Sequence, residues 1–214
     1  MQRLFIVGGG GFAKECCQYI RILEANNKNI VLGGLLGHNG YKVDFGPFSK
    51  YFITDVADFE FGDDDCAIIG AGYPELRKKI YDDLKARNIK MPNLLTYGVY
   101  LDSECNVGEA NMFIAGFCPT GNVNIGSGNV FNGDVIVGHD SDIGDFNFFG
   151  PRSQVLGGVK IGNMNQIGAN AILLPKAKIG NNNKIAPLSA VYKGCKDNCY
   201  MLGNPAVKVG EVEA

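Results

Sequence analysis

The stretch that decides the fold reads Val155-Leu156-Gly157-Gly158-Val159-Lys160-Ile161-Gly162-Asn163-Met164-Asn165-Gln166-Ile167-Gly168, part of a longer segment in which every sixth residue is apolar. The full series is Leu101, Val107, Phe113, Pro119, Ile125, Phe131, Val137, Ile143, Phe149, Val155, Ile161, Ile167, Leu173, Ile179, Ile185 and Val191. Glycine follows directly in eight of these sixteen steps, and the residue two places earlier is usually small or asparagine. A fixed internal period of this kind indicates a repeat architecture.

A period of six residues fits neither an α-helix, with 3.6 residues per turn, nor a plain strand, with a period of two. It fits a short strand followed by a tight turn, because glycine and asparagine tolerate the positive φ that tight corners need. Three such units complete one triangular coil, with the apolar residue pointing to its axis. Coils stack at the strand spacing of roughly 4.8 Å, so that each residue lies over the equivalent residue of the next coil. The sequence therefore predicts a parallel β-helix.

The repeats resemble the hexapeptides of left-handed β-helix acyltransferases. Three further segments resemble one group within these acyltransferases: Gly138-His139-Asp140-Ser141-Asp142-Ile143-Gly144, Gly157-Gly158-Val159-Lys160-Ile161-Gly162 and Gly203-Asn204-Pro205-Ala206. They are similar to segments of the sialic-acid O-acetyltransferase and bacillosamine N-acetyltransferase group, which modifies sugars with acetyl-CoA. The resemblance covers nearly the whole chain, since that group also carries a small nucleotide-binding domain at its N-terminus.

The bulk composition is that of a soluble globular protein, with 214 residues, 20% charged residues and a net charge of −2. No basic cluster suggests nucleic acid or a membrane surface as a partner. The first seven residues run straight into a glycine-rich turn, which is typical of a buried strand and not of a signal peptide. The seven cysteines are scattered and odd in number, as expected for reduced thiols in a cytoplasmic protein.

The N-terminal part alternates strands with helices. The apolar run Leu4-Phe5-Ile6-Val7 ends in Gly8-Gly9-Gly10-Gly11, and Phe12 opens a helical pattern. Further strands are predicted at residues 30–36 and 66–69, and a second helix at residues 75–87. We therefore expect a Rossmann-like α/β domain over residues 1–95, and the resemblance implies that the parallel β-helix, over residues 96–214, is left-handed.

The order strand, glycine turn, helix places backbone N–H groups and a helix N-terminus against a phosphate. Gly8, Gly10, Gly11 and Phe12 are therefore candidate substrate-binding residues. A dinucleotide site usually has an acidic residue at the end of its second strand, where this chain has Gly37 and His38. The absence of an acidic residue at this position argues against NAD as the ligand. Two interpretations remain: the domain binds a nucleotide-sugar diphosphate, or it is purely structural. Gly37 and His38 are candidates for nucleotide contact, although His38 is equally consistent with a solvated loop residue.

Only two histidines occur in the chain, and only His139 belongs to the β-helix. The equivalent positions on the neighbouring coils are Gly121 and Gly157, so we expect its ring to stand in open space. Asp140 follows directly and could accept the proton of one ring nitrogen, leaving the other nitrogen to take a proton from a substrate. Zinc chemistry of the β-helix carbonic anhydrase type needs three histidine ligands, so we expect no metal.

The resemblance implies that His139 is the general base, that Asp140 orients it, and that Asn132 lies near the reacting groups as a hydrogen-bond donor or as part of a structural ladder. It also implies a homotrimer that binds acetyl-CoA in the groove between neighbouring β-helices. The positions that match cofactor contacts are Phe148, Gly157, Ala169 and Pro187, which would contribute mainly backbone groups or simply form turns. Lys208, in the closing segment, would hold a phosphate or be solvated.

The function that the resemblance implies is acetyl-CoA-dependent N-acetylation of a nucleotide-linked 4-amino-4,6-dideoxy sugar for surface polysaccharide synthesis. The amine would attack the thioester directly, because no cysteine has a neighbouring histidine that would make it a nucleophile. Two alternatives stay open. O-acetylation of a sugar such as sialic acid would use the same histidine and cofactor, whereas a non-catalytic trimeric nucleotide-sugar-binding scaffold would not need His139.

Overall fold

A computed structural model describes residues 1–26, 29–39 and 46–212. The chain forms two compact units, Met1–Tyr97 and Gly98–Ala214. The first is an α/β unit and the second is a parallel β-helix, which confirms the fold class predicted from the sequence.

The first unit contains a parallel sheet with the strand order β3-β2-β1-β4. Its elements in chain order are β1 (Gln2–Val7), α1 (Gly11–Asn26), β2 (Ile30–Gly37), β3 (Phe52–Asp55), β4 (Asp65–Ile69), α2 (Pro74–Ala86) and β5 (Leu94–Leu95), with 3₁₀ turns at Gly46–Tyr51 and Val56–Asp58. The predicted strands and helices are present to within a few residues. The edge strand β3 was not predicted, because Phe52 and Ile53 are exposed and the segment has no alternating pattern.

The carboxyl ends of β1 and β4 approach each other closely. A Cβ atom added to Gly8 would lie 2.8 Å from the carbonyl oxygen of Gly70, and the Gly70 amide donates to the Val7 carbonyl at 2.8 Å. Ile6 and Ala13 pack directly against Gly70. Glycine is therefore required at both positions for the backbone to turn at this edge of the sheet.

The β-helix has three faces, each a sheet of short parallel strands. The first sheet contains β7 (Met112–Phe113), β10 (Val130–Phe131), β13 (Phe148–Phe149), β16 (Gln166–Ile167), β19 (Lys184–Ile185), β22 (Cys199–Gly203) and the antiparallel β23 (Ala206–Glu211). The second contains β8 (Cys118–Pro119), β11 (Ile136–Val137), β14 (Gln154–Val155), β17 (Ile172–Leu173) and β20 (Ala190–Val191). The third contains β6 (Asn106–Val107), β9 (Asn124–Ile125), β12 (Asp142–Ile143), β15 (Lys160–Ile161), β18 (Lys178–Ile179) and β21 (Gly194–Cys195).

A regular coil contains eighteen residues, so that Val130 pairs with Phe148 and Phe148 with Gln166; the last coil is two residues shorter, since Lys178 pairs with Gly194 and Lys184 with Tyr200. The series of apolar residues fills the interior from Phe113 onward, except that Pro119 is half-buried. Leu101, the first member of the series, precedes the first strand of the β-helix and is also half-buried. Phe113, Phe131 and Phe149 stack with ring centroids 5.2 and 4.7 Å apart and interplanar angles of 7°. These separations are close to the strand spacing, so the stacked rings continue the repeat into the core.

Buried asparagines satisfy the backbone at one inner corner of the β-helix. Oδ1 of Asn129 accepts from the backbone amide of Asn147 at 2.8 Å and from its side-chain amide at 3.1 Å, and Asn147 does the same for Asn165 at 2.9 Å in both bonds. The same Nδ2 atoms also donate to glycine carbonyls, at 2.9 Å for Asn147 and Gly162. This ladder explains why asparagine recurs two residues before the apolar position, since buried polar groups need partners.

The glycines of the repeat make room for a second, outer ladder at the same corner. A Cβ atom on Gly126 or Gly144 would collide with Oδ1 of Asp145 or Asn163 on the next coil. Those oxygens accept hydrogen bonds at 2.7 Å from the amides of Ser127 and Asp145. The Ile-Gly signature is therefore a packing requirement of the fold.

Candidate active site

His139 stands at the corner that joins β11 to β12. Its carbonyl oxygen accepts a hydrogen bond from the Gly158 amide at 2.8 Å, and the Asp140 amide donates to the Gly121 carbonyl at 3.3 Å. The backbone of this corner is thus tied to the preceding and the following coil. The His139 side chain is 70% exposed, so its ring is held on a rigid element while it remains accessible to substrates.

Asp140 joins His139 to the preceding coil. Nδ1 of His139 lies 2.8 Å from Oδ2 of Asp140, and Nδ2 of Asn122 donates to Oδ1 of Asp140 at 2.7 Å. The hydrogen bond with His139, followed by that with Asn122, lowers the pKa of the Asp140 carboxyl. Because an ionised carboxylate only accepts hydrogen bonds, it places the imidazole proton on Nδ1 and leaves the lone pair on Nε2.

The two glycines that flank His139 differ in their distance from its ring. A Cβ atom on Gly157 would lie 2.7 Å from Nε2 and 2.8 Å from Cε1 of His139, whereas one on Gly121 would meet only Oε2 of Glu104, at 3.5 Å. The expectation that the ring stands clear of both neighbours was therefore wrong on the Gly157 side, where the ring leans over the glycine backbone. Glycine at position 157 leaves Nε2 open to a proton donor.

Asn132 lies just after β10, at the corner between the first and second sheets. Its Oδ1 accepts a hydrogen bond from the Gly133 amide at 2.8 Å, and its own amide donates to the Phe149 carbonyl at 3.0 Å. Asn132 is not part of the buried ladder of Asn129 and Asn147. With one lone pair of Oδ1 engaged locally, the Nδ2 donor is the candidate group of this side chain for a contact with a substrate.

The residues predicted to bind acetyl-CoA do not converge at one edge of a single chain. Gly157 lies on the His139 corner, whereas Ala169 and Pro187 lie one above the other on the opposite edge of the second sheet. Phe148 is half-buried in β13 of the first sheet. Lys208 lies in β23, where its Nζ pairs with Oε1 of Glu211 at 2.8 Å, and this contact raises the pKa of the Lys208 ammonium.

The glycine turn of the first unit fits an anion. Gly11 and Phe12 form the first turn of α1, which contains no acidic side chain, and a Cβ atom on Gly10 or Gly11 would meet no atom within 4 Å. The space beside Gly10 and Gly11 is therefore open at the positive end of the helix dipole, which suits a phosphate.

His38 is buried and is not a solvated loop residue. Its side chain is 5% exposed, and Nε2 lies 2.9 Å from Oδ2 of Asp83 on α2. Nδ1 is buried without a hydrogen-bond partner in the described part of the chain. Gly37, beside it, packs against Asp55, because an added Cβ atom would lie 3.4 Å from that carboxylate. The end of β2 thus presents an imidazole bound to a carboxylate instead of a free acidic side chain.

Among residues 1–26, 29–39 and 46–212, no three histidine, cysteine or acidic side chains converge as ligands for a metal ion. No helix within the same ranges is both long enough and apolar enough to cross a membrane.

Known structures of the same architecture match almost the entire chain. A mutant of perosamine N-acetyltransferase from Caulobacter crescentus, in complex with CoA and GDP-perosamine, is 20% identical, with a TM-score of 0.84 over 99% of this chain and 98% of that one. The acetyltransferase domain of PglB from Neisseria gonorrhoeae, in complex with acetyl coenzyme A, is 18% identical, with a TM-score of 0.82 and coverages of 97% and 99%. WeeI from Acinetobacter baumannii is 20% identical, with a TM-score of 0.78 and coverages of 98% and 100%.

The chain has the fold of these acetyltransferases. Residues 158–193 match the family described as bacterial transferase hexapeptide (six repeats), in agreement with the repeat read from the sequence. No curated protein matches the chain significantly.

Within this acetyltransferase fold, two contacts of candidate site residues were missed by the sequence analysis. Asn122 lies eighteen residues before Asp140, so the coil length that predicts the stacking also places these two residues together. Asp83 lies 45 residues after His38, and no local pattern links the two.

Proposed function

We propose that the protein is an acetyl-CoA-dependent N-acetyltransferase that acts on the amino group of a nucleotide-linked 4-amino-4,6-dideoxy sugar. The observation that carries this proposal is the state of His139, whose side chain is 70% exposed, with Nδ1 bound to Asp140 and Nε2 beside Gly157. It is supported by structures of the same fold that contain CoA with GDP-perosamine, or acetyl coenzyme A.

His139 acts as the general base in this reaction. The neutral sugar amine attacks the thioester carbonyl, so that a C–N bond forms and, as the tetrahedral intermediate collapses, the C–S bond breaks. The amine proton moves to Nε2 of His139 and then to the departing CoA thiolate. Asp140 stabilises the imidazolium that forms between these two steps. Nδ2 of Asn132 is the candidate donor to the oxyanion; because Asn132 lies at the opposite edge of the second sheet from His139, it would come from the neighbouring copy of the chain.

The acetyl-CoA site requires two copies of the chain. Gly157 and the pair Ala169 and Pro187 lie on opposite edges of the second sheet, so one groove can use both sets only if it lies between neighbouring β-helices. The outer face of this sheet includes Ile136, which is 41% exposed, and the half-buried Ile172. A homotrimer would cover this apolar surface and complete the cofactor groove. Phe148 and Lys208 would add contacts to CoA along it.

The glycine turn is the candidate site for the nucleotide diphosphate. Gly8, Gly10, Gly11 and Phe12 surround the N-terminus of α1, whose amides suit a pyrophosphate. At the end of β2, Gly37 and His38 replace the acidic residue that holds ribose in dinucleotide sites. The chain therefore favours a nucleotide sugar over NAD.

Thiol release from acetyl-CoA with a panel of UDP-, dTDP- and GDP-linked 4-amino sugars tests the proposal. We expect turnover with at least one of them, giving a product 42 Da heavier (one acetyl in place of one hydrogen) that resists hydroxylamine because it is an amide. A hydroxylamine-labile product formed from a hydroxyl sugar would support O-acetylation instead. Specific binding of a nucleotide sugar without thiol release from any acceptor would support the scaffold alternative.

A further inference from the structure

Asn122 and Asp140 occupy equivalent positions on consecutive coils, and both have a left-handed backbone, with φ of 59° and 57°. The backbone amide of Asp140 donates to the carbonyl of Gly121, the residue before Asn122, at 3.3 Å. Asparagine and aspartate adopt this conformation more readily than most residues with a side chain. The corner therefore fixes the two Cα atoms, and the short side chains meet over the gap between the coils.

The Asp140 carboxylate is bound at both oxygens. Oδ1 accepts from Nδ2 of Asn122 at 2.7 Å, and Oδ2 lies 2.8 Å from Nδ1 of His139. The side chains of His139 and Asp140 are 70% and 59% exposed, so packing alone does not hold either of them. Without the bond from Asn122, the carboxylate could rotate about its χ2 torsion.

We infer that Asn122 is a positioning residue for the acetyl transfer, because it fixes the Asp140 carboxylate in the orientation that holds His139 Nδ1 and directs Nε2 over Gly157. This inference rests on the proposed function. Asn122 does not touch the reacting atoms and acts only through Asp140. The chain of contacts runs from one coil to the next and ends at the base.

The other charged groups near this corner lie outside the chain of hydrogen bonds. Glu104 belongs to the preceding coil, and its Oε2 would be 3.5 Å from a Cβ atom on Gly121. Lys176 lies on the opposite side, where its Cγ would be 3.4 Å from a Cβ atom on Gly158. The pKa of the Asp140 carboxyl is lowered by its contacts with His139 and Asn122.

A second pair in the same coils provides a matched control. Nδ2 of Asn124 donates to Oδ1 of Asp142 at 2.8 Å, with the same residue types and the same eighteen-residue separation as Asn122 and Asp140. Asp142 also pairs with Lys160 at 3.0 Å and does not contact His139. If the hydrogen bond from Asn122 to Asp140 served only to hold the coils together, removing it would affect kcat no more than removing the bond from Asn124 to Asp142.

The test compares Asn122→Gly with Asn124→Ala in the full-length protein. Glycine keeps the positive φ at position 122 and removes only the side chain. We expect Asn122→Gly to lower kcat on the order of tenfold with little change in KM, since a misdirected base slows the chemical step. Asn124→Ala should keep kcat within about twofold of the wild type, because a surface contact away from the site contributes little. Equal kcat in the two variants would overturn the inference.

A second readout does not depend on activity. The Asp140 carboxyl carbon, followed by NMR as a function of pH, should titrate at a higher pH in Asn122→Gly than in the wild type, because the variant loses one hydrogen bond to the ionised form. An unchanged midpoint would show that Asn122 does not hold the carboxylate and would contradict the inference. If the wild type acetylates no amino sugar, the proposed function fails, and this titration still decides whether Asn122 controls Asp140.

Discussion

The contrast between Gly157 and Gly121 tests how closely the β-helix controls the position of the base. In Gly157→Ala the new methyl group would lie 2.7 Å from His139 Nε2, about 0.7 Å inside the 3.4 Å at which ordinary contact begins. The exposed ring can move away easily, so the cost falls on its position and not on the fold. Neither glycine has a positive φ, so alanine fits both backbones and should change the free energy of unfolding by less than about 1 kcal/mol.

A shift of the base by most of an ångström should reduce kcat for acetyl transfer roughly 10- to 100-fold, since a misplacement of about 1 Å can cost a factor of 100. The assay is steady-state thiol release from acetyl-CoA, together with the melting temperature of each variant. Gly121→Ala is the matched control, because its methyl group would meet only Glu104 at 3.5 Å and should leave kcat within about twofold of the wild type. If Gly157→Ala is as active as Gly121→Ala, the position assigned to the His139 ring is wrong.

Three further predictions concern the core and the titration of the site. Phe131→Ala removes the middle ring of a fully buried stack and should lower the free energy of unfolding by about 3–5 kcal/mol in a chemical denaturation experiment; a loss below about 1 kcal/mol would show that the stack is not close-packed. Asn147→Ala leaves several buried partners of the ladder unpaired. At about 1–3 kcal/mol for each unpaired group, the free energy of unfolding should fall by roughly 3 kcal/mol or more in the same measurement. Stability close to that of the wild type would refute the role of the ladder. Asp140 in the wild type should titrate below the usual aspartate pKa of about 3.9, because the ionised form is favoured by His139 and Asn122; its carboxylate thus persists as the pH falls, and an NMR midpoint at or above 3.9 would contradict these contacts.

The β-helix could be predicted from the sequence because the apolar residue at every sixth position is also the residue that fills the interior when the coils stack. The same eighteen-residue relation predicts contacts such as Asn122 with Asp140 once it is applied to side chains outside the core. The direction of the His139 ring could not be predicted in this way. The rotamer of an exposed side chain is set by its local contacts, and the six-residue period carries no information about them.

The α/β unit was less accessible to sequence reasoning. Its central strands are continuous apolar runs that can be recognised in the sequence. The short edge strand β3 has no such pattern, because Phe52 and Ile53 are exposed. His38 resembles a loop residue in the sequence. In the structure its ring is buried and its Nε2 lies beside Asp83 of α2, a contact between residues that are distant in the sequence.

The rate of acetyl transfer by His139→Asn tests most directly whether His139 is the general base. Asparagine is smaller than histidine and can still donate a hydrogen bond to Asp140, but it lacks the Nε2 lone pair that takes the substrate proton. We predict that kcat falls roughly 100- to 10,000-fold, the usual contribution of a general base, while the melting temperature and the KM for acetyl-CoA stay close to those of the wild type. Undiminished kcat in a folded His139→Asn variant would contradict the assignment of His139 as the base.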